Sequence, residues 1–498
     1  MATVDREPLI ACNPATGREI ARIEGTAPAD VALLVAGARD AQEAWATTPI
    51  RHRIEVIQRF WSILSRDSDT MARAIRDEIG KPLPEARFEM IATLDAIRWT
   101  VKNARGFLAD ERIGAGWQRA ALMKPAVVRW RPLGVVGIIG TWNYPVLLDA
   151  SAIVQAIVAG NGVAWKSSEH CPLVASHLRD RFHEAGVPVN LIASLFGGGD
   201  VGQAMIETRN LAKGFFTGGV ETGRRVLTAF SEHLVPAVME LSGFDPAVVL
   251  PDAPFDSTVS ALTWAAFVGA GQTCVAVKRI YVVGDARPWA EAISQRARAL
   301  RVGDPATGSV DMGPMISERA RAEFHARIHD AVAAGAELLC GGEPIDGPGW
   351  FYRPTVLFDD ERGTEAHLEG IFGPVVIVQS MDSDDMAVSL SNYWSYGLAA
   401  SVWGRDLKRC RAIADRLEAG MVTINDAVTP SGLAAAPFGG TKSSGFGRVR
   451  GAIGLREFVE AQTLHERRPG GFRPHLFPYS DRLGKILALY QRLFHPRA

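Results

Sequence analysis

The sequence predicts an α/β fold: a parallel sheet covered by helices on both faces, followed by a second α/β region. Three observations predict it. Residues 134–250 alternate short β-type runs with amphipathic stretches, the pattern of strand–helix–strand units. The run Gly134-Val-Val-Gly-Ile-Ile-Gly140 is apolar throughout and bounded by glycine, as a strand buried on both faces is. A second α/β pattern then occupies residues 257–425. The chain has 498 residues, and at about 150 per domain that is roughly three domains' worth.

The elements follow in order. Residues 31–45 are Ala-rich, with Leu33, Leu34 and Ala38 on one helical face. Residues 54–64 repeat the spacing with Ile57, Phe60, Trp61 and Leu64. Residues 120–131 alternate, are partly β-branched, and read as a strand or hairpin. After the strand at 134–140 comes a helix over 148–159, a strand at 162–165 and an amphipathic helix over 172–185. Strands are predicted at 193–196 and 214–217, a helix over 221–230, and further strands of the same set at 235–239 and 247–250. In the second region, 289–299 and 318–334 read as helices, and 375–379 and 398–403 as strands. Gly- and Pro-rich breaks at 341–348 and 432–447 mark loops. Residues 467–478 read as a linker. Leu483, Ile486, Leu487, Tyr490, Leu493 and Phe494 then repeat at helical spacing.

Composition narrows the function. Hydrophobic residues are 47% and charged residues 22%, which excludes disorder as the main theme. The net charge is −1, so no electrostatic footprint for nucleic acid is expected. Five cysteines stand apart at 12, 171, 274, 340 and 410. An odd, dispersed set argues against a disulfide framework and fits a reducing compartment such as the cytoplasm. No zinc-type spacing occurs, so no metal is expected. The first 14 residues carry Asp5, Arg6 and Glu7, unlike a signal peptide. The most apolar stretch, 147–165, is broken by Asp149, Gln155 and Asn161 and is a poor membrane span.

Ligands of parallel α/β sheets bind at the C-terminal ends of the strands, so the residues just after the strands are read most closely; three residues of the chain carry chemistry. Cys274, in Gly271-Gln-Thr-Cys274, offers a thiol reached past the small Gly269, Ala270 and Gly271. A single cysteine is equally a small buried hydrophobe. Asn143 directly follows the strongest strand, where an amide can donate to a developing oxyanion; an Asn turn before proline is the plain alternative. Glu240, in Met239-Glu-Leu-Ser-Gly243, is placed just after a strand, between apolar residues. Such a carboxylate has a raised pKa suited to a general base, although an exposed loop acid fits the same pattern. Gly218 and Gly223 leave bare backbone at a strand-to-helix turn, suited to a pyrophosphate. Lys166 and Glu169 follow another strand, in reach of ribose hydroxyls.

Together these motifs resemble the aldehyde dehydrogenase superfamily, over residues 12–464. The resemblance rests on Thr141-Trp-Asn-Tyr-Pro145, Lys166 to Glu169, Phe216-Thr-Gly218, Glu240-Leu-Ser-Gly243, Gly271-Gln-Thr-Cys274, Phe372-Gly-Pro374, Tyr396-Gly-Leu398, Pro437-Phe-Gly-Gly440 and Ser444-Gly-Phe-Gly447. It implies that Cys274 is the nucleophile, Asn143 with the Cys274 backbone N–H the oxyanion hole, and Glu240 the base. It implies cofactor binding by Thr141, Trp142, Lys166, Glu169, Thr217, Gly218, Gly223, Leu241 and Phe372. A carboxylate at 169 would repel a 2′-phosphate, so NAD is expected, with NADP possible. The implied reaction is oxidation of an aldehyde to the acid through a thiohemiacetal and a thioester. A coenzyme A-acylating or acyl-reducing relative and a catalytically idle homologue are the alternatives.

The resemblance also implies an architecture. It has a Rossmann-like NAD-binding domain (1–113 and 133–242), a catalytic domain (243–440), and a small β oligomerisation arm (114–132 and 455–466). A linker and amphipathic helix (467–498) complete it. The arm implies a homodimer. Asn143-Tyr-Pro145, Ala152 where many relatives carry Lys, His233-Leu-Val-Pro236 and Phe477-Pro-Tyr479 look like the fatty and aromatic aldehyde branch. An apolar, medium to long or aromatic substrate is therefore expected, and the C-terminal helix packs on protein or touches a membrane surface. Some positions depart from the family pattern. The usual Glu two residues before Phe372, which holds the nicotinamide ribose, is Gly370, with Glu369 one place off. The usual Ser is Gly219, and the usual Gly-Gly-Lys after Glu-Leu is Ser242-Gly-Phe244. Restoring Glu at 370 is expected to steady the nicotinamide.

Overall fold

The computed structural model describes residues 8–114, 126–360, 363–466 and 476–495. They fall into two units: residues 1–107 with 132–460, and residues 108–131 with 461–498.

The larger unit holds two mainly parallel sheets. The first has six strands in the order Gly445–Phe446, Ala237–Leu241, Leu211–Gly218, Val135–Ile139, Gly162–Lys166 and Ile192–Leu195. All pairs are parallel except the outermost, Gly445–Phe446 against Ala237–Leu241. The second has seven, in the order Glu337–Cys340, Thr355–Phe358, Val375–Met381, Val277–Val283, Asp245–Val249, Ala399–Trp403 and Met421–Ile424. Only the Glu337–Cys340 edge is antiparallel.

Two expectations change here. The strand predicted at 247–250 is Asp245–Val249 and belongs to the second sheet, not the first. Its apolar run reads alike in either sheet; only its partners Val277–Val283 and Ala399–Trp403 decide. Glu240 lies inside the strand Ala237–Leu241 rather than after it, opposite Thr217 on one side and Gly445 on the other.

The helices of the first region hold their cores by spacing. In Pro28–Thr47 the buried face is Val31, Val35, Ala38 and Trp45. Leu33 and Leu34, expected on the core face, are exposed. The stripe four residues apart wins, because it is the one that faces the sheet. Ile50–Arg66 buries Ile57, Phe60 and Leu64 as expected. The hairpin Leu9–Asn13 with Arg18–Ile23 carries mixed polar residues and no clear alternation, so sequence reading passed over it. Pro145–Ala159 buries nearly every residue, which makes it a central helix of the unit.

Buried charges finish what propensity leaves open. The first N–H groups of Pro145–Ala159 have no side-chain cap of their own. Glu89, from the helix Leu83–Phe107, accepts from Val146 N at 2.9 Å and Leu147 N at 3.3 Å. Its other oxygen pairs with buried Lys81 at 2.7 Å. Glu78 serves Pro172–Glu184 in the same way, accepting from Leu173 N and Val174 N at 2.8 and 2.7 Å. A carboxylate at a helix N-terminus meets both the orphan N–H groups and the helix dipole.

The smaller unit contains a three-stranded sheet in the order Val459–Leu464, Ala126–Pro132, Glu111–Ile113. Part of the strand or hairpin expected at 120–131 is the strand Ala126–Pro132; residues 120–125 lie outside the described residues, as do 467–475 of the expected linker. Asp481–Phe494 is a helix, as its spacing predicted, and none of its residues is buried. No helix among the described residues is long and apolar enough to cross a membrane.

Lys278, in the fully buried strand Val277–Val283, ties the second sheet to the loop before Cys274. Its Nζ donates to Gly271 O at 2.8 Å and to Gly373 O at 2.6 Å. Burial pulls its pKa down to about 7, and a neutral amine still has the two N–H donors these bonds need. Lys278→Met keeps the apolar length but orphans two carbonyls. At about 1–3 kcal/mol for each unsatisfied group, the urea-unfolding midpoint should fall clearly. An unchanged midpoint would mean that the carbonyls find other donors.

Candidate active site

Cys274 sits at the end of an unusual turn. Gly269, Ala270 and Gly271 have φ of 64°, 55° and 65°, three consecutive left-handed residues. At Gly271 a Cβ would stand 2.1 Å from Gly373 O, so the close approach that Lys278 bridges admits only glycine. Gly269 N donates to Glu85 Oε2 at 3.1 Å. The Gln272 side chain donates to Gly269 O at 3.2 Å and accepts from Ile316 N at 2.9 Å. The turn is thus held from three directions, and the partly buried Cys274 follows it. Gly243 lies against it on the other side, where a Cβ would meet Cys274 O at 2.4 Å.

Burial pushes the Cys274 thiol up to about 12, with nearby Asp245 and Glu240 adding to the shift and Arg450 opposing it. The resting thiol is therefore protonated and must lose its proton to react. Glu240 is buried, and neither carboxylate oxygen has a hydrogen-bond partner. Desolvation pushes it up to about 8 against the pull of Arg450 and Arg448. This is the apolar setting its sequence neighbours implied, now inside a strand. Glu240, Cys274, Thr217 and Leu241 line one cavity, together with Ile138, Phe438 and Arg450.

Asn143 is placed by its own local bonds. Its Oδ1 accepts from Thr141 Oγ1 at 3.0 Å and Tyr144 N at 3.1 Å. Its Nδ2 donates to Gln272 O at 3.1 Å, two residues before Cys274. An amide nitrogen carries two hydrogens, so one donor remains. The Tyr144 hydroxyl meets Thr273 Oγ1 at 3.0 Å, a second tie to the cysteine segment. Trp142 stands edge-on to Phe372, with ring centroids 5.7 Å apart.

The remaining expected residues lie along the C-terminal edge of the first sheet. Lys166 ends its strand, and its Nζ holds Glu169 Oε2 at 2.6 Å. Gly218 ends the strand Leu211–Gly218, and Gly219 precedes the helix Val220–Glu232. A Cβ at Gly219 would meet nothing within 4 Å, so the helix opens on bare, accessible N–H groups. Gly223 is needed for packing: a Cβ there would stand 2.6 Å from Leu241 Cδ2. A dinucleotide fits this edge, with an open helix start for its phosphates and an ion pair for its ribose.

At Gly370 the backbone itself favours glycine. Gly370 has φ 68°, and a Cβ there would stand 2.3 Å from the Tyr396 hydroxyl. A Glu at 370 would be strained and displace Tyr396, which opposes the gain expected from restoring it. Glu369, one place away, accepts from Ser395 Oγ at 2.8 Å through its Oε1. Sequence reading also missed Lys278, Glu85 and Arg450. Lys278 left a trace, a cation inside an apolar strand run; the other two have contacts far away in sequence and left none.

Comparison with known proteins agrees with this geometry. The family model described as "Aldehyde dehydrogenase family" matches residues 2–464. The succinate-semialdehyde dehydrogenase [NADP(+)] of Mycobacterium avium is 32% identical over 459 residues, covering 92% of this chain and 96% of that protein. The enzyme of the same name from Deinococcus radiodurans is 34% identical over 459 residues, covering 92% and 94%. The crystal structure of a Mycobacterium tuberculosis aldehyde dehydrogenase complexed with NAD+ superposes with a TM-score of 0.88 at 30% identity, covering 95% and 96%. With a family match across nearly its whole length, this chain belongs to the aldehyde dehydrogenase family.

Proposed function

We propose that this chain oxidises an aldehyde to its carboxylic acid, with Cys274 as nucleophile, Asn143 as oxyanion donor and Glu240 as general base. The observation that carries this reading is the single cavity lined by the Cys274 thiol and the unpartnered Glu240 carboxylate. The thiol gives up its proton to solvent, and the thiolate Sγ attacks the aldehyde carbon to form a thiohemiacetal oxyanion. The free Asn143 N–H and the Cys274 backbone N–H stabilise its oxyanion. Hydride then leaves that carbon for a nicotinamide ring, the chemistry this cofactor supplies when bound. Glu240 takes a proton from water, the water oxygen attacks the thioester carbon, and Cys274 departs with the proton returned to sulfur.

Thr217, Gly218 and Gly223 frame the diphosphate, Lys166 and Glu169 the adenosine ribose, and Thr141, Trp142, Leu241 and Phe372 the nicotinamide side. The Glu169 carboxylate disfavours a 2′-phosphate, while its Lys166 partner tempers that repulsion, so NAD is preferred and NADP accepted. Relatives are named for NADP(+) and solved with NAD+. Glu240 supports hydrolysis over acyl transfer to coenzyme A. The apolar cavity walls, Ile138, Phe215, Val238 and Phe438 among them, support an apolar, medium to long or aromatic aldehyde. The named relatives act on succinate semialdehyde, so that short acid aldehyde is the competitor.

The arm sheet ends in two edge strands, Val459–Leu464 and Glu111–Ile113, which suits pairing with a second copy in a homodimer. A cytoplasmic location fits the dispersed cysteines. The apolar residues of Asp481–Phe494, among them Ile486, Leu489 and Leu493, are exposed and available to protein or a membrane surface.

A panel of aldehydes, short to long, aromatic and ω-carboxylated, followed by reduced cofactor with NAD and NADP in parallel, should show turnover rising with apolar length. Preference for the carboxylated member would replace the apolar reading; no turnover with any aldehyde would remove the oxidation reading. Cys274→Ala should abolish turnover with cofactor binding near normal, measured by fluorescence titration. Glu240→Gln should keep a burst of reduced cofactor while thioester hydrolysis slows by about 10²–10⁴-fold.

The hydrolytic step should also depend on pH. Only the Glu240 carboxylate accepts a proton, and its pKa is raised to about 8. The rate should therefore climb from pH 6 and level off above about 8, and that limb should vanish in Glu240→Gln. A flat profile in the parent enzyme would remove Glu240 as the base.

A further inference from the structure

The reaction as derived leaves one charged side chain of the cavity without a task. Arg450 is 3% exposed and lines the same cavity as Cys274 and Glu240. Its Nε and Nη1 are buried with no hydrogen-bond partner. The guanidinium lies over the Phe438 ring, 4.9 Å from the centroid. The two Glu240 oxygens are buried and unpartnered as well. The Arg450 and Glu240 side chains thus stand in one largely apolar chamber, with Nε and Nη1 of the one and both oxygens of the other lacking hydrogen-bond partners.

The backbone shows that Arg450 is held there. Its φ of 62° and ψ of 173° lie in a strained region that non-glycine residues rarely adopt. The conformation persists because its neighbours are fixed. Phe438 and Val449 exchange two backbone hydrogen bonds of 2.8 Å, and Gly454 N donates to Arg450 O at 2.9 Å. The next residue, Gly451, is locked by a close approach to Ala435 O. Burying a guanidinium with two nitrogens unpartnered is costly, so strain and desolvation are both sustained at this position. Arg448 differs: its Nη1 is tied to Gly440 O and Gly447 O at 2.9 and 2.6 Å.

We propose that Arg450 is a positioning residue for this reaction: its guanidinium is the fixed countercharge that favours the ionised forms of Glu240 and Cys274 in the chamber the three residues share. The proposal rests on the roles given above to Cys274 and Glu240. The charged and titratable groups around the pair act in known directions. Arg450 and Arg448 favour the carboxylate, and burial opposes it. Across the cavity, Cys274 is disfavoured as thiolate by Asp245 and Glu240 and favoured by Arg450. Asp149 lines the chamber from Pro145–Ala159 and is engaged by Trp165 Nε1 at 2.8 Å. Its neighbours leave Arg450 as the charge that both Glu240 and Cys274 share.

The test uses the full-length enzyme with Arg450→Met, Arg450→Lys and Glu240→Gln/Arg450→Met. Single-turnover thioester hydrolysis is followed against pH, and Cys274 alkylation by iodoacetamide is followed without aldehyde or cofactor. In Arg450→Met the hydrolysis limb should move alkaline by about one pH unit, a loss of roughly tenfold at pH 7. Alkylation at pH 8 should also slow several-fold. Arg450→Lys should recover most of both effects, and in the Glu240→Gln background Arg450→Met should leave hydrolysis unchanged. A limb that stays in place in Arg450→Met, with or without loss of turnover, would overturn the proposal and leave Arg450 a packing residue. Should the methionine variant fail to fold by circular dichroism, Arg450→Gln removes the charge with less change in polarity and carries the same outcomes. If Cys274→Ala still turned over, the proposed function would fail, and the alkylation rates would still report what Arg450 does to the thiol.

Discussion

The site depends on the bridge from Lys278 to Gly271 O and Gly373 O. One amine, fixed in a buried strand, draws together the loop that carries Cys274 and the loop that follows Phe372. Without it two carbonyls of tightly turned backbone would face each other with no donor between them. With it the left-handed turn at Gly269 to Gly271 has one conformation, and the thiol has one address. The other ties to that loop, from Glu85, Gln272, Asn143 and Tyr144, come from different elements and converge on the same few residues.

Dryness is the second theme. Glu240 lies within a strand between apolar neighbours, and Cys274 lies across from it in a cavity walled by Ile138, Phe215 and Phe438. Such walls raise the cost of charge on both groups, which is what holds a carboxylate near the pKa of a neutral-pH base. The same walls would defeat the chemistry if nothing offset them. Arg450 is the buried cation in position to do so, and its strained backbone and unpartnered nitrogens mark a residue kept for more than packing.

Sequence reading found most of the helices and strands to within a few residues, because their apolar spacing is a local property. It placed Asn143, Glu240 and the glycines of the strand-to-helix turn near the C-terminal strand ends, where the structure has them, and it singled out Cys274, which the structure sets between the turn at Gly269 to Gly271 and the strand Val277–Val283. It failed where a decision was not local. Glu240 looked like a loop residue because Ser242 and Gly243 follow it, yet pairing with Thr217 and Gly445 carries the strand through it. Leu33 and Leu34 looked like core because they are leucines, yet the sheet meets the Val31, Val35 and Ala38 stripe. The strand Asp245–Val249 was legible as a strand and illegible as a member of the second sheet.

By itself, then, the sequence determined the alternation of elements, the family, and the residue types available for nucleophile, oxyanion donor and base, since each is written in a run of adjacent residues. Tertiary structure alone decided what those residues experience. That Lys278 bridges residues 271 and 373, that Tyr396 occupies the space beside Gly370, and that Arg450 shares a chamber with Glu240 are all relations across 102, 26 and 210 positions of chain. Hydrogen bonding, steric exclusion and electrostatics act through space within a few ångströms, and no local pattern of residues records which distant segments the fold will bring that close.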